Sequence, residues 1–421
     1  MLKSLEFRAV GPAPQLGPIG FGPRLNLLTG DNGLGKTFLL DSAWWALTGT
    51  WPDRPAWPHE SSGPDHPARI VAEVEGKTTE SPLDSTYDYR NQYWPLPPGR
   101  PANPGLVLYF RVDGQFSLWD PSQHYWRRNK GLGVDAPDRP DALHLAAGEV
   151  WNSIPAPDGR IICRGLIDDW VSWQQTMSPE FDHLMSVVQA LSPMEVRAAP
   201  PRQVWVDDNR KYPCLSLSYG EVPLTLTSAG MKRILALAYL LVWAWHAHQR
   251  AAKLIRQPTE RRMIILFDEP ETHLHPQWQR RLLPALMTAV AGLDPDLSVQ
   301  LLVSTHSPLV LASTESIFDP QRDAMFHFEF DGQGGAAVAR MSWSQRGDVT
   351  NWLVSPVFGL DQARAVEAEE AIESAERFMR GEADKNPVDL QTWDQLNARL
   401  AAVLSGSDRF WPRWVARSRP V

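Results

Sequence analysis

Cysteine is almost missing from this chain: Cys163 and Cys214 are the two in 421 residues, and no C-x-x-C spacing occurs. That excludes a disulfide-stapled scaffold and a structural zinc site. Long apolar runs are missing too. The longest, residues 234–245, has twelve residues, where a bilayer span needs about 20. The first seven residues alternate like a strand and lack the apolar stretch of a signal peptide, so the expectation is a cytoplasmic protein with no membrane contact. Long heptad arrays and internal repeats are absent. So is any excess of positive charge: 41 Lys and Arg stand against 49 Asp and Glu, for a net charge of −8. This gives no support to broad, charge-driven binding of nucleic acid.

What remains is a globular composition, 43% hydrophobic and 21% charged, on a chain long enough for one large or two medium folded units. Trp (19) and Pro (37) are abundant. Fourteen of the prolines fall in residues 51–150 with eight glycines, and the strand-like pieces there, 69–74, 106–112 and 115–119, read as antiparallel hairpins joined by long loops. Around this segment the pattern changes. A buried strand at 25–29 leads into a helix at 36–47 closed by Gly49, and helical spacing runs over 165–191 with a break near Pro179. Strands are expected at 215–219 and 222–226, then a helix at 231–253. An apolar strand at 263–267, a helix at 277–291 and a buried strand at 299–304 follow. Continuous apolar strands alternating with helices indicate a parallel sheet covered on both faces. A hairpin at 325–330 and 336–341 and an acidic helix at 361–380 complete the series.

Residues 30–37, Gly30-Asp31-Asn32-Gly33-Leu34-Gly35-Lys36-Thr37, fit the pattern G-x-x-x-x-G-K-[ST] in full. Glycines let a backbone wrap closely around phosphates, so that amides and the following helix N-terminus face the negative charge. Lys36 would reach the β and γ oxygens and the Thr37 hydroxyl would ligate Mg²⁺. The motif follows a strand and opens a helix, as that chemistry needs. Further on, residues 263–267 form an apolar strand that ends in the adjacent carboxylates Asp268 and Glu269. Beside a phosphate loop, Asp268 would hold Mg²⁺ and Glu269 would polarise the attacking water; taken alone, Asp-Glu-Pro is equally a strand-ending turn.

These residues resemble the ABC class of ATPases, and more closely its RecF/SMC/OLD-like branch, the AAA-type ATPases of bacterial defence systems. Residues 268–276, Asp-Glu-Pro-Glu-Thr-His-Leu-His-Pro, resemble that branch's extended acidic motif, D-E-P-E-x-H-L-H-P. Ser304-Thr305-His306-Ser307-Pro308 resembles its switch motif, in which a histidine contacts the γ-phosphate. Thr227-Ser228-Ala229-Gly230-Met231-Lys232-Arg233 resembles its signature, although Ala229 and Met231 replace the second glycine and the glutamine of L-S-G-G-Q. The resemblance implies that two heads dimerise head to tail, or build a higher oligomer, with Ser228 and Gly230 of one capping ATP held by the other. Outside that set, a Ser before a helix reads as an N-cap and His306 as a structural histidine. His273 and His275 read as loop-ordering residues in preference to a metal pair. Gln92, Gln115, Gln174 and Gln175 all remain candidates for the glutamine-loop residue.

The fold expected is α/β: an ABC-ATPase head over 1–320, with a P-loop parallel sheet, flanking helices and an antiparallel β subdomain. It would carry a Pro/Trp-rich β insertion at 51–150, a helical insertion at 151–210, and a C-terminal hairpin and helical extension at 321–421. Spacing narrows the class. About 190 residues separate phosphate loop from signature, and about 38 separate signature from acidic strand, both longer than in transporter ATPases. The long coiled coil and C-x-x-C hook of an SMC relative are missing, and residues 307–421 hold no D-x-D of a Toprim nuclease. The function expected is therefore an ATP-hydrolysing sensor subunit acting on a separate protein effector, a nuclease or toxin. The alternatives are a RecF-like clamp on DNA, which the charge does not support, and a low-turnover nucleotide-switch scaffold. Residues 361–390 are net −5 and 391–421 net +3. The aromatic and arginine-rich run 408–414 reads as an interface, as a nucleic-acid tail, or as a terminus docked on the core. Trp44, Trp45, Trp243 and Trp245 are expected in the core; Trp51, Trp57, Trp94, Trp411 and Trp414 are the candidates for partner contacts.

Overall fold

Alternating strands open the chain: β1 (Leu2–Val10) and β2 (Ala13–Gly20) form a hairpin that buries one face. The computed structural model describes residues 1–76, 80–96, 103–124, 141–155, 159–332 and 335–418, and divides into two units, residues 1–347 and 348–421. In the first, the fully buried strand β3 (Leu25–Gly30) runs through the phosphate loop into α1 (Lys36–Thr48), which ends at Gly49 in the left-handed conformation. Next come β4 (Arg69–Glu75) and β5 (Glu80–Thr86), which complete an antiparallel sheet of order β2-β1-β4-β5. That sheet packs on α1, with Phe7 and Phe38 ring centroids 4.9 Å apart.

The central sheet has eight strands. After β6 (Leu106–Phe110), β7 (Phe116–Trp119) and β8 (Leu143–Leu145) come the short pair β9 (Ile154–Pro155) and β10 (Ile161–Cys163), then helices α2 (Gly165–Thr176) and α3 (Pro179–Leu191). The helical break falls where expected, at Met177 in the left-handed region and at Pro179, whose missing N–H suits a first helical position. β11 (Arg197–Gln203), β12 (Lys211–Leu217) and β13 (Gly220–Pro223) form a separate three-stranded antiparallel sheet leading into α4 (Ala229–Leu254). The strands β14 (Arg262–Asp268) and β15 (Ser298–Ser304) flank the helices α5 (Pro276–Gln279) and α6 (Leu282–Ala291); α7 (Pro308–Thr314) and the hairpin β16 (Ala324–Phe330) and β17 (Ala336–Met341) follow. The order is β17-β16-β3-β15-β14-β6-β7-β8, with β16, β3, β15, β14 and β6 mutually parallel.

Five sequence expectations are corrected. Residues 106–110 and 116–119 do form the expected antiparallel hairpin, β6 with β7, but it is no separate insertion: β6 also pairs in parallel with β14, Phe110 against Phe267, because Leu-Val-Leu-Tyr-Phe is buried on both faces and suits a sheet interior. The strand pattern of 215–226 forms the separate antiparallel sheet, and residues 224–226 are a 3₁₀ turn. The helix expected over 277–291 resets at Arg281, turning Leu282, Leu283 and Leu286 inward. The hairpin expected in a C-terminal extension lies in the central sheet of the first unit, where β16 pairs with β3, and its turn falls partly outside the described residues. The acidic helix starts five residues late.

That helix, α9 (Val366–Met379), follows α8 (Val349–Leu353) in the second unit and precedes α10 (Trp393–Val403) and α11 (Trp411–Ser418). Its buried residues Ala368, Ala371, Ile372 and Ala375 form one stripe at helical spacing, and the acidic side chains take the other face. Thr392 and Gln395 form a reciprocal capping box on α10. Phe410 and Trp414 are buried against the α9 stripe, so the 408–414 run docks on its own unit; Arg419 lies outside the described residues. Trp94 is likewise buried, its indole N–H donating to Ala56 O. Of the tryptophans expected to face partners, Trp57 is 66% exposed, whereas Trp44, Trp45, Trp243 and Trp245 are all core.

Candidate functional site

At the C-terminal edge of β3 the backbone turns in a way that only glycine accommodates. Gly30 has φ +125°, and a Cβ there would lie 2.1 Å from Phe328 O on β16. Gly33 has φ +79°, a left-handed value. Gly35, also left-handed, starts α1 with no side chain capping the helix and no acidic residue in its first turn. The amides at this end are therefore left for an external acceptor, which suits an anion. Asp31 and Asn32 are exposed on the same loop. Lys36 is 5% exposed; its Nζ donates to Gly30 O (2.9 Å) and Asp31 O (2.6 Å), bracing the loop from inside. Burial, ahead of the opposing pull of Glu269, Asp31 and Asp268, brings its pKa down to about 8.

The acidic strand end meets this loop directly. Thr37 Oγ1 donates to Asp268 Oδ2 at 2.9 Å, and Ser304 Oγ donates to Asp268 Oδ1. Burial raises the Asp268 pKa against those two hydrogen bonds. A hydroxyl and a buried carboxylate at this spacing are hard oxygen donors of the kind Mg²⁺ takes beside phosphates, so the residues fit a Mg-nucleotide.

Glu269 is held in an unusual backbone conformation, with φ +44°. Such a residue stores roughly 1–3 kcal/mol of strain and persists where its surroundings over-determine it. Its N–H donates to Ser304 O (3.2 Å) and lies 3.0 Å from Ser304 Oγ, while its carbonyl accepts from Arg233 Nη2 at 3.3 Å. The carboxylate Oε1 stands 3.4 Å from His306 Nε2. Burial and then the Lys36 charge lower the His306 pKa, favouring neutral imidazole. Lys36, Thr37, Asp268, Glu269 and His306 thus form one constellation.

Glu271 is a member that sequence reading passed over. Its Oε1 accepts from Thr305 Oγ1 (2.7 Å), His306 N (2.8 Å) and Ser307 N (3.1 Å), so one buried carboxylate ties the switch segment after β15 to the turn after β14. Only its place in the extended acidic motif signalled this. Ser304, in the switch motif, likewise carries no sequence sign of its bond to Asp268.

Ser228 and Gly230 form a second group. Ser228 caps α4, its Oγ accepting from Met231 N at 3.3 Å, and Gly230 packs close to the His273 carbonyl, where a Cβ would sit at 3.2 Å. Among the described residues neither donates to or accepts from the phosphate loop. His275 caps α5 through Nδ1, and His273 lies in the left-handed region of the same loop. Of the four glutamine candidates, Gln115 alone adjoins the strand end beside Asp268: Arg111, just beyond β6, donates to its Oε1 at 3.2 Å. Gln174 and Gln175 sit on α2, where Gln174 bonds Trp170 and Ala199, and Gln92 lies in a loop after β5.

Comparison with known proteins agrees with this geometry. Residues 206–312, which span the signature, acidic strand and switch, match the family described as "AAA domain, putative AbiEii toxin, Type IV TA system". A 142-residue stretch is 26% identical to "Retron Ec83 probable ATPase" of Escherichia coli, covering 34% of this chain and 23% of that protein. Among solved structures, the SMC head domain from Thermotoga maritima aligns with 81% of this chain and 99% of its own at 13% identity and a TM-score of 0.41. The recombination mediator protein RecF-ATPrS of the RecFOR pathway aligns with 81% of this chain and 98% of its own at 11% identity and a TM-score of 0.36. The family match covers residues 206–312, about a quarter of the chain, and the phosphate loop at residues 30–37 lies outside it, at the end of the strand that pairs in parallel with β15.

Proposed function

We propose that the chain binds ATP with Mg²⁺, hydrolyses it at a site completed by a second copy, and through that cycle holds or releases a separate protein effector. The observation that carries hydrolysis is Glu269, whose strained backbone is gripped on both sides and whose carboxylate stands beside His306 and the Thr37–Asp268 pair. A site that only bound nucleotide would have no use for a second carboxylate so held, which weighs against the low-turnover scaffold.

In this reading the loop amides and the first turn of α1 bind the phosphates. Lys36 shifts from the loop carbonyls to the β and γ oxygens. Thr37 and Asp268 would hold Mg²⁺, which would supply charge neutralisation on the phosphate oxygens. Glu269 orients the attacking water and draws off its proton. Neutral His306 donates to the γ-phosphate, its backbone steadied by Glu271. The capped N-terminus of α4 in the second copy, with Ser228 and Gly230, closes over the γ-phosphate, where the helix dipole favours negative charge. Each head-to-tail pair then contains two sites.

The toxin–antitoxin wording of the matched family and the retron ATPase support an ATPase that works beside another protein, a nuclease or toxin, in a defence system. The net charge of −8 favours that over a RecF-like clamp on DNA. Among the described residues no helix is long and apolar enough to cross a membrane, in keeping with a cytoplasmic site of action. The test is Glu269→Gln: it should bind ATP, cease hydrolysis and accumulate as a nucleotide-bound dimer by light scattering. Wild-type turnover in that variant would overturn the assignment.

A further inference from the structure

We propose that Arg233 is a positioning residue: carried on the signature helix, its guanidinium fixes the backbone of Glu269 and so ties the placement of that helix to the aim of the water-activating carboxylate in the same head. The inference rests on the reading of Glu269 as general base.

Arg233 stands five residues beyond Ser228, roughly one and a half turns into α4. Its Nη1 donates to Val112 O at 3.0 Å and its Nη2 to Glu269 O at 3.3 Å. Those two carbonyls belong to the turns that follow the neighbouring parallel strands β6 and β14. One planar fork thus joins three elements: the signature helix, the turn leading to Gln115, and the acidic strand end. Among the described residues no carboxylate forms an ion pair with it; Glu271, Asp113, Asp268 and Glu269 answer its charge only through space. A guanidinium largely withdrawn from water and spent on two backbone carbonyls is a placement that needs a reason, since a desolvated cation is costly to hold.

Glu269 supplies the reason. Its N–H is taken by Ser304 of β15 and its carbonyl is shared by the Thr272 N–H of its own turn (3.1 Å) and Arg233 of α4, so the peptide groups on both sides of a left-handed residue are held from different elements. Loosening either would let the backbone relax toward ordinary φ values and swing the carboxylate away from His306. The grip on the Ser304 side belongs to the sheet and is rigid. The grip on the Arg233 side belongs to a helix whose N-terminus, in the proposed pair, meets the other head's nucleotide. On its free side Arg233 borders a cavity of about 180 Å³ lined in part by Phe110, Lys232, Leu237, Phe267 and His273, so its side chain has room to move with the helix. Displacement of α4 on engaging the partner's nucleotide therefore reaches the Glu269 carbonyl directly through the Arg233 side chain, while Gly230 meets the same turn only farther on, at the His273 carbonyl. A lysine cannot reproduce the contact, because an ammonium lacks the planar fork that meets two acceptors at once.

The experiment measures steady-state hydrolysis, ATP affinity and melting temperature of the full chain for Arg233→Ala and Arg233→Lys. Both variants should lose kcat, on the order of 100-fold for Arg233→Ala, the scale of a small misplacement of a catalytic group, with KM changed by less than about threefold. Free guanidinium ion should restore part of the Arg233→Ala rate and none of the Lys36→Ala rate, a rescue that a merely structural role would not produce. In a Glu269→Gln background, Arg233→Ala should still form the ATP-dependent dimer. Wild-type kcat in Arg233→Ala would overturn the inference, as would a defect confined to KM or loss of the dimer. A silent Glu269→Gln beside a normal Arg233→Ala overturns this inference alone; a Glu269→Gln with normal turnover overturns the general-base reading beneath it.

Discussion

The acidic strand end and the start of the signature helix lie in one unit but are held in opposite ways. Asp268, Glu269 and Glu271 are bound by Thr37, Ser304, Arg233, Thr305 and the amides of His306 and Ser307. Ser228 has its own helix cap and Gly230 a close approach to the His273 carbonyl. The first group is a finished half-site. The second is a helix start capped by its own Ser228 that, among the described residues, makes no hydrogen bond to the phosphate loop, and under the proposed function it is offered to another head's nucleotide. Under the proposed function the difference separates chemistry from its permission: the groups proposed to break the bond are held within one head, and the group proposed to complete the site comes from another.

The largest blow to the finished half is Lys36→Ala. It removes the buried cation and the brace on Gly30 and Asp31, and should cost about 3 kcal/mol of ATP binding, on the order of 100-fold in Kd, checked by titration calorimetry. Next is Glu271→Ala, which takes the acceptor from the Thr305 hydroxyl and the His306 amide and one of two acceptors from the Ser307 amide. We expect a loss of about 2–3 kcal/mol of stability in urea unfolding and slower hydrolysis with Kd for ATP nearly unchanged; full stability would mean the acidic end is not held from within.

A third test uses pH. The Lys36 pKa is lowered to about 8, and bound phosphate favours its charged form. ATP affinity should be flat below about pH 8 and weaken above it, by at most about tenfold per unit. Without nucleotide the same shift acts oppositely on stability: folding is penalised while the charge must be buried, and the protein gains stability as pH rises from about 8 toward the unfolded value of 10.5. Affinity that does not change across this range would contradict the burial of Lys36. The smallest effect sharpens the other half. Ser228→Ala should cost only about 1 kcal/mol of stability, the value of a lost cap, yet reduce hydrolysis out of proportion to it.

Much of the half-site could be read from sequence because its signals are local. The phosphate loop needs glycines at set positions before a helix, and β14 and β15 are short apolar runs with polar residues at their ends; the structure has Thr37 beside Asp268 and Glu269 beside His306. What could not be read depends on contacts distant in sequence. The five apolar residues of β6 carry no mark of which strand they will join, and their partner β14 lies more than 150 residues away. The partnership of Arg233 with the Glu269 carbonyl leaves no pattern at all, since a backbone acceptor has no residue type. Trp94 and Trp414 stand among prolines or arginines, which suggested exposure, but an indole large enough to close a cluster is drawn inward: Trp94 against Trp45 and Tyr87, Trp414 against Trp393 and Phe378.

The central claim is that one head's signature completes another head's site, and mixing two disabled variants tests it most directly. Lys36→Ala keeps a sound signature with a dead phosphate loop; Ser228→Arg keeps a sound phosphate loop with a blocked signature. Each should be inactive alone. In an equal mixture half the pairs are mixed and each holds one intact site, so hydrolysis should return to about a quarter of the wild-type rate under random head-to-tail pairing. No activity on mixing, or full activity of Ser228→Arg by itself, would contradict the account.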